Sequence, residues 1–196
     1  MVGLKVGVVA IQGDVSEHVL ALKRVVGQGE VLVVRKAGVL PQCDGIVLPG
    51  GESTTISKMM SHSGMDGEIR DAALSGVPIM ATCAGLVLIS REIEGDDRVR
   101  PLGLMDVTIG RNAFGSQRES FEADLEVKGF DEPYRAVFIR APCIVRCGQE
   151  VEVLARARDS VVAARQGNLF GLAFHPELTD DLRFHNMFME AVADVL

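Results

Sequence analysis

The sequence predicts an α/β fold: one domain, residues 1–196, with a mixed, mainly parallel sheet and flanking helices in three layers. In the first half, strand-length apolar runs alternate with segments whose apolar residues recur at helical spacing, a pattern typical of right-handed βαβ units. In the second half, short β-like runs follow one another, and a turn at 166–168 predicts an antiparallel hairpin. A chain of 196 residues, 47% of them hydrophobic, suits one domain with a sizeable core.

The elements of the first half follow from their apolar patterns. Leu4–Ile11 is a near-continuous apolar run, which predicts a buried strand. Asp14 or Ser16 can cap the next helix, in which apolar residues recur at helical spacing. Later strands are expected at Glu30–Arg35, Gly45–Leu48 and Val77–Thr82, and later helices at Ser53–Ser61, Gly67–Leu74 and Ala84–Arg91.

The second half changes character after a polar segment, Glu94–Arg100, which is expected to be a surface loop. Thr179 is the predicted cap of a C-terminal helix with an apolar face. Between these two points the expected strands are Leu125–Val127, Ala136–Arg140, Glu152–Ala157, Val161–Arg165 and Leu169–Phe174.

Composition excludes several classes of function. A formal net charge of −7 argues against nucleic acid or an anionic membrane as the main partner. The N-terminus lacks a secretory signal, and no apolar run is long enough to span a bilayer. These observations predict a cytoplasmic protein with reduced thiols. Cys143 and Cys147 lack a second ligand pair at zinc-like spacing, so no metal and no cofactor are expected, and Cys43, Cys143 and Cys147 are expected to be structural.

Cys83 stands between the strand Val77–Thr82 and the helix that begins at Ala84. Small neighbours, Ala81 and Gly85 among them, suit the crowded backbone of a sharp strand-to-helix turn. Such a turn presents the thiol at the carboxyl edge of the sheet, and a helix start favours the thiolate. This segment predicts a nucleophile, although by itself it is equally compatible with a buried cysteine that packs as a small apolar residue.

His175 follows an apolar strand, and Glu177 lies two residues further on. If the backbone stays extended there, both side chains point the same way, so Glu177 can hold one imidazole nitrogen while the other faces Cys83. Pro176 stiffens the connection. The alternative is a loop histidine beside a solvated carboxylate. Together with Cys83, the pair predicts a nucleophile, a base and an orienting acid.

A third motif places Gly50 and Gly51 directly after a strand. Glycine lets a backbone loop approach a ligand closely. The backbone N–H groups of Gly51 and Ala84 are therefore candidates for an oxyanion hole. The alternative is an ordinary glycine turn before a helix capped by Ser53. Neither a Walker motif nor a GxGxxG after the first strand is present, which weakens a nucleotide-binding interpretation.

Two arginines are candidates for binding a carboxylate. Arg111 and Asn112 lie in a glycine-rich stretch, and Arg140 ends a predicted strand. An exposed guanidinium can hold a carboxylate through two hydrogen bonds. A solvated surface charge is the alternative for either arginine taken alone.

These segments together resemble the class I, triad-type glutamine amidotransferases, and more closely the glutaminase subunits of pyridoxal 5′-phosphate synthase. The resemblance extends over nearly the whole chain, with the segments in family order. It rests on VVAIQGDVSEH, LPGGESTTI, ATCAGLVLIS, GRNAFGSQ, VFIRAP and AFHPELTDD. It implies a flavodoxin-like fold.

The resemblance also implies a role for each residue. Cys83 would attack the side-chain amide of L-glutamine and form a glutamyl thioester. His175 would protonate the leaving ammonia and then activate water, while Glu177 would orient His175. The glutamine-binding residues that it implies are Gly51, Glu52, Ser53, Arg111, Ile139 and Arg140.

The partner implied by the resemblance is a separate synthase subunit, a (β/α)₈ barrel, which receives the ammonia and builds pyridoxal phosphate (vitamin B6) within a large ring-shaped hetero-oligomer. The loop around Gln12 would lie near the docking face. Two other hypotheses remain: a different thiol hydrolase on the same fold, such as a peptidase-like or γ-glutamyl hydrolase relative, and a non-catalytic regulatory subunit. Arg111 and Arg140 favour a free amino acid as substrate over the first, and the intact triad argues against the second.

Overall fold

The structure is a computed structural model that describes residues 3–110 and 120–196. Strands and helices alternate in the first half: β1 (Lys5–Val9), α1 (Val15–Val25), β2 (Glu30–Val34), β3 (Gly45–Leu48), α2 (Ser53–Ser63), α3 (Met65–Leu74), β4 (Ile79–Thr82) and α4 (Ala84–Ile89). The later elements are β5 (Ser90–Ile93), β6 (Met105–Gly110), β7 (Ser120–Leu125), β8 (Tyr134–Ile139), β9 (Cys143–Cys147), β10 (Glu152–Ala157), β11 (Ser160–Gln166), β12 (Leu169–Leu172) and α5 (Arg183–Asp194).

The predicted mixed sheet is confirmed. Its strand order is β2-β1-β3-β4-β12-β11-β9-β6-β5, with β10 paired to β11 beside this path. The strands from β2 to β12 are parallel, whereas β12, β11, β9 and β6 pair antiparallel. The expected hairpin is formed by β11 and β12. A separate antiparallel pair, β7 and β8, lies outside this sheet.

The helices cover both faces of the sheet because the chain crosses it in two directions. From β1 the chain moves outward to β2 through α1, and from β3 it moves the other way to β4 through α2 and α3. Right-handed crossovers in opposite directions put their helices on opposite faces. Accordingly α1 packs against α5, whereas α2 packs against α3 and α4. No helix among the described residues combines the length and the apolar character needed to cross a bilayer.

One expectation about the first half needs correction. The helix predicted to reach Arg91 ends at Ile89, and Ser90 begins β5, which pairs with β6 in parallel. The Ser90 hydroxyl donates to the Val87 carbonyl at 2.8 Å and so closes the last turn of the helix. The apolar run could not distinguish a buried helix from a buried strand. The strands β6 and β9 were not expected either.

Thr179 does not cap the C-terminal helix, as the sequence suggested. α5 begins at Arg183, and its first-turn N–H bonds the Asp181 carboxylate at 3.1 Å. The Thr179 hydroxyl instead lies 3.3 Å from the Tyr134 hydroxyl. Tyr134 belongs to a buried aromatic cluster with Phe174 and Phe184, and this cluster supports the segment that carries His175.

Candidate active site

Cys83 occupies the sharp strand-to-helix turn that the sequence predicts. Its backbone has φ 48° and ψ −105°, a strained conformation for a residue with a side chain. Its N–H donates to the Leu172 carbonyl at 2.8 Å, which fixes the turn to β12. A Cβ at Gly85 would lie 2.2 Å from the Leu48 carbonyl oxygen, so only glycine fits there. The requirement for small neighbours therefore has a direct steric cause.

His175 and Glu177 form a buried pair behind the cysteine. The Nδ1 atom of His175 lies 2.7 Å from Oε1 of Glu177, and the two residues are 3% and 7% exposed. The expectation of an extended backbone is wrong, because Pro176–Leu178 forms one 3₁₀ turn. The turn nevertheless brings the two side chains together. The backbone N–H of His175 also donates to the Val137 carbonyl at 2.9 Å, which ties the histidine to β8.

Gly50 lies where the cysteine and the histidine converge. A Cβ at this position would be 2.6 Å from Cε1 of His175 and 3.3 Å from Cβ of Cys83. The sulfur of Cys83 lies 3.8 Å from the Ile139 carbonyl oxygen. The Nε2 atom of His175 is buried and makes no hydrogen bond to the described residues. This nitrogen is therefore available to the thiol or to a substrate.

The environment favours a charged imidazole. Burial by itself lowers the pKa of His175, but the neighbouring side chains of Cys83 and Glu177 outweigh burial, so the pKa rises above its ordinary value. Burial raises the pKa of Glu177, and its bond to His175 opposes that shift. A protonated His175 beside the Cys83 sulfur is the arrangement that stabilises a thiolate.

Asp14 is a site residue that the sequence indicated only as a possible helix cap. It was a candidate cap for α1, but its side chain makes no capping hydrogen bond. Its Oδ2 instead lies 3.2 Å from Nδ1 of His175. Two carboxylates, from Asp14 and Glu177, therefore approach one imidazole nitrogen that carries at most one hydrogen. The available signal was its place after β1, at the sheet edge where such folds bind ligands.

A cleft of about 900 Å³ opens in front of these residues. Its lining brings together Cys83 and His175 with six of the predicted residues, Gly51, Glu52, Ser53, Ala84, Ile139 and Arg140. Glu177 lies behind His175 and not in the lining. Arg111 and Asn112 lie outside the described residues. The polar segment after β5 is a loop, as expected, but Glu94, Asp96 and Arg98 in it also line the cleft, a role that the sequence did not indicate.

Glu52 caps α2 through its carboxylate, which accepts hydrogen bonds from the N–H groups of Thr54 at 3.0 Å and Thr55 at 2.7 Å. The helix begins at Ser53, as its predicted bounds indicate, and the cap is not Ser53, which only the alternative interpretation of the glycine turn had proposed. The hydrogen bond from the Thr55 hydroxyl, at 2.6 Å, is the main cause that lowers the pKa of Glu52 to about 2. This carboxylate is therefore committed to the helix, while the Glu52 backbone N–H donates to Oε1 of Gln12 at 3.3 Å and its carbonyl accepts from the Ile56 N–H at 3.0 Å.

The candidate oxyanion donors both line the cleft. Gly51 has φ 146°, a conformation that favours glycine, and Ala84 opens α4, where backbone N–H groups lack intrahelical partners. Arg140 is exposed at the end of β8 with φ 44°. Non-glycine residues with positive φ are uncommon and cluster at functional sites. Cys83 and Arg140 both show this feature at the cleft.

Metal-binding potential among the described residues is confined to one group. Asp14, His175 and Glu177 each offer a ligand atom, and these atoms lie within 4.8 Å of one another. Cys143 and Cys147 stand at opposite ends of β9, about 13 Å apart along a strand. One ion therefore cannot join those two sulfurs. The absence of a metal from this protein stays a prediction.

Comparison with known proteins gives consistent matches. Residues 8–194 match the family model described as the SNO glutamine amidotransferase family. A relative from Methanothrix thermoacetophila, named pyridoxal 5′-phosphate synthase subunit PdxT, is 60% identical over 95% of this chain and 99% of its own. A relative of the same name from Natronomonas pharaonis is 53% identical over 94% and 97% of the two chains.

Solved structures agree with these matches. A crystal structure described as a glutamine amidotransferase shares 44% identity and superposes with a TM-score of 0.89, covering 96% of this chain and 98% of that one. The PurLQS structure from Thermotoga maritima, at 19% identity and TM-score 0.69, covers 98% and 99% and shows likeness of fold alone. With a family model over nearly its whole length and close relatives of one name, the chain belongs to the SNO glutamine amidotransferase family.

Proposed function

We propose that this chain is the glutaminase subunit of a pyridoxal 5′-phosphate synthase, acting as one glutamine amidotransferase domain. It hydrolyses L-glutamine to glutamate and ammonia. The observation that carries the proposal is that Cys83 and His175, which pairs with Glu177, both lie against Gly50 and line an open cleft. The names of the relatives, at 60% and 53% identity over nearly full length, support the subunit assignment.

The first half-reaction forms a thioester. The Cys83 thiolate attacks the side-chain carbonyl carbon of glutamine, and the carbonyl oxygen takes up the negative charge. Backbone N–H groups of Gly51 and Ala84 stabilise this oxyanion. His175 gives its proton to the amide nitrogen, the C–N bond breaks, and ammonia leaves. Glu177 keeps the imidazole oriented and stabilises its positive charge, as the acid of a triad does.

The second half-reaction hydrolyses the thioester. His175, now neutral, accepts a proton from water through Nε2 while the water oxygen attacks the thioester carbonyl. The oxyanion forms again on the same two N–H groups. When it collapses, the C–S bond breaks, glutamate is released, and the thiolate–imidazolium pair returns. Neither step requires a metal or an organic cofactor.

The outer cleft is suited to recognising a free amino acid. Arg140 supplies a cation at its rim, and Arg111 is proposed as a second contact to the α-carboxylate of glutamine. Gly51, Glu52, Ser53 and Ile139 complete the proposed binding set. All of these except Arg111 lie in the cleft wall.

The ammonia is proposed to pass to a separate synthase subunit, a (β/α)₈ barrel, within a large cytoplasmic hetero-oligomer. The docking face includes the loop around Gln12. The Gln12 side chain accepts a hydrogen bond from the Glu52 N–H at 3.3 Å. A Cβ at Gly13 would lie 1.7 Å from the Gly50 carbonyl oxygen, so this loop packs directly on the glycine loop of the site. Docking there is in a position to affect catalysis.

The test is ammonia release from L-glutamine, measured with and without the synthase subunit. Release that the synthase stimulates is the expected result, and Cys83→Ala should abolish it while the protein stays folded. Cys147→Ser is the matched control, since this half-buried thiol lies outside the cleft lining. Absence of release from the wild-type chain with synthase present would refute the proposal. Hydrolysis of γ-glutamyl peptides in its place would favour another thiol hydrolase.

A further inference from the structure

A second histidine, His18, lies directly behind the triad. It belongs to α1 and is completely buried. Its Nε2 lies 3.2 Å from Oε2 of Glu177 and 3.1 Å from Oγ1 of Thr82. Glu177 therefore stands between two imidazoles, with Oε1 toward His175 and Oε2 toward His18. Thr82 is the residue before Cys83, so His18 adjoins both arms of the active site.

The surroundings of the His18 ring favour its neutral form. Burial, followed by the nearby His185 and His175, holds the pKa of His18 well below its usual range. A neutral imidazole has one donor nitrogen and one acceptor nitrogen. The Nδ1 atom of His18 makes no hydrogen bond to the described residues. Its single N–H must therefore serve whichever neighbour most needs a donor.

That neighbour is the buried carboxylate. Oε2 of Glu177 is buried and makes no hydrogen bond to the described residues, although Nε2 of His18 lies only 3.2 Å away. Nε2 of His18 forms its hydrogen bond with Oγ1 of Thr82, although Oε2 lies almost as near. A threonine hydroxyl can turn to donate or accept, whereas an ionised carboxylate oxygen only accepts and loses much free energy if buried without a donor. A proton on Nε2 meets this need, because both Oε2 and Oγ1 lie within 3.2 Å of that nitrogen.

We propose that His18 is a positioning residue for the glutaminase reaction: its Nε2–H holds Oε2 of Glu177 so that Oε1 remains the acceptor for Nδ1–H of His175. This inference rests on the proposed function. The contact between His18 and Glu177 matters because Asp14 offers a second carboxylate, 3.2 Å from the same Nδ1 of His175. Without His18, Glu177 can rotate and Asp14 can capture the N–H, which tilts the imidazole.

The test uses full-length protein assembled with the synthase subunit. His18→Leu removes the donor, while His18→Gln keeps an N–H near the position of Nε2. His185→Leu is the matched control, since His185 is also a buried histidine and makes no hydrogen bond to the described residues. We expect His18→Leu to lower kcat for L-glutamine by about 10- to 100-fold and to change KM little. This fold-change corresponds to the loss of one hydrogen bond to a charged group.

The pH profile separates positioning from mere structure. Loss of the His18 donor raises the pKa of Glu177 further, so the acid limb of the kcat profile should move to higher pH in His18→Leu. The limb should return toward its wild-type position in His18→Gln, and it should not move in His185→Leu. The groups that face this carboxylate are His175, His18 and Asp14, with the Tyr134 hydroxyl also near enough for its pKa to respond to Glu177.

A second measurement needs no variant. Nitrogen-15 NMR of the wild-type chain should show His18 as the neutral Nε2–H tautomer, and an Nδ1–H tautomer would overturn the inference. So would a His18→Leu protein that is folded and shows the wild-type kcat and acid limb. If the wild-type chain releases no ammonia with synthase present, the proposed function fails and this inference fails with it.

Discussion

Gly50→Ala tests the geometry of the active site with a single methyl group. The glycine does not have a left-handed φ, so alanine fits its backbone conformation. The added Cβ would nevertheless lie 2.6 Å from Cε1 of His175, where ordinary contacts begin at 3.4 Å. The added methyl group cannot move away toward Cys83, because the Cβ of Cys83 would lie only 3.3 Å from it. The imidazole must therefore shift by roughly 1 Å.

Such a shift acts on the reaction more than on the fold. Displacing a catalytic group by about 1 Å costs roughly 100-fold in rate, or about 2.7 kcal/mol in activation free energy. Overpacking of a buried site costs about 1–3 kcal/mol of stability, which a domain of this size can survive. We expect kcat for ammonia release to fall by about 100-fold while the protein remains folded.

The assay measures ammonia release at saturating L-glutamine with the synthase subunit, together with thermal unfolding of each variant. Gly67→Ala is the matched control, because Gly67 is exposed within α3 and a Cβ there would contact nothing within 4 Å. It should keep full activity and gain about 0.5–1 kcal/mol in stability. A folded Gly50→Ala protein with kcat within about twofold of wild type would refute the steric argument.

Three further predictions concern the buried acids and histidines. His175→Asn should lower kcat more than Glu177→Gln, because proton transfer contributes more than orientation; the opposite order would contradict the roles assigned. Asp14→Asn should lower kcat less than Glu177→Gln, since its contact with Nδ1 of His175 is 3.2 Å and not 2.7 Å; an equal loss in steady-state kcat would make the two carboxylates equivalent. Burial, then Arg24, lowers the pKa of His185 to about 4, so His185 stabilises the fold fully above pH 6.5 and loses this contribution as pH falls toward 4. Between pH 6.5 and 4 the free energy of unfolding of the wild type, measured with urea, should therefore fall by up to about 3 kcal/mol more than that of His185→Leu. Parallel plots of unfolding free energy against pH for the two proteins would contradict this prediction.

Much of the fold could be predicted because its signals are local. β3 and β10 have the bounds that their apolar runs indicate, and the turn at 166–168 joins antiparallel strands as expected. β5 and β9 were missed for a common reason. Their sequences are short, and they become strands by pairing with β6, which lies far away in the chain from β9. Propensity over four or five residues cannot anticipate such pairing.

The sequence by itself determined the chemistry of this protein. A cysteine between a strand and a helix, a His-Pro-Glu segment and a double-glycine loop are local patterns that limit the reactions open to the chain. The glycine required next but one to Cys83 has a tertiary cause, because a Cβ there would meet the Leu48 carbonyl oxygen of β3.

Only the tertiary structure decided which side chains stand behind and beside the triad. Asp14 and His18 follow the first strand, whereas Glu177 lies near the other end of the chain, yet Asp14 and Glu177 both contact the imidazole of His175 and His18 contacts Glu177 from behind. Parallel strands bring their carboxyl ends to one edge of a sheet, so residues distant in sequence meet there. Which nitrogen then meets which oxygen depends on packing to within a few tenths of an ångström. No sequence spacing encodes that distance, because it results from how the whole core packs.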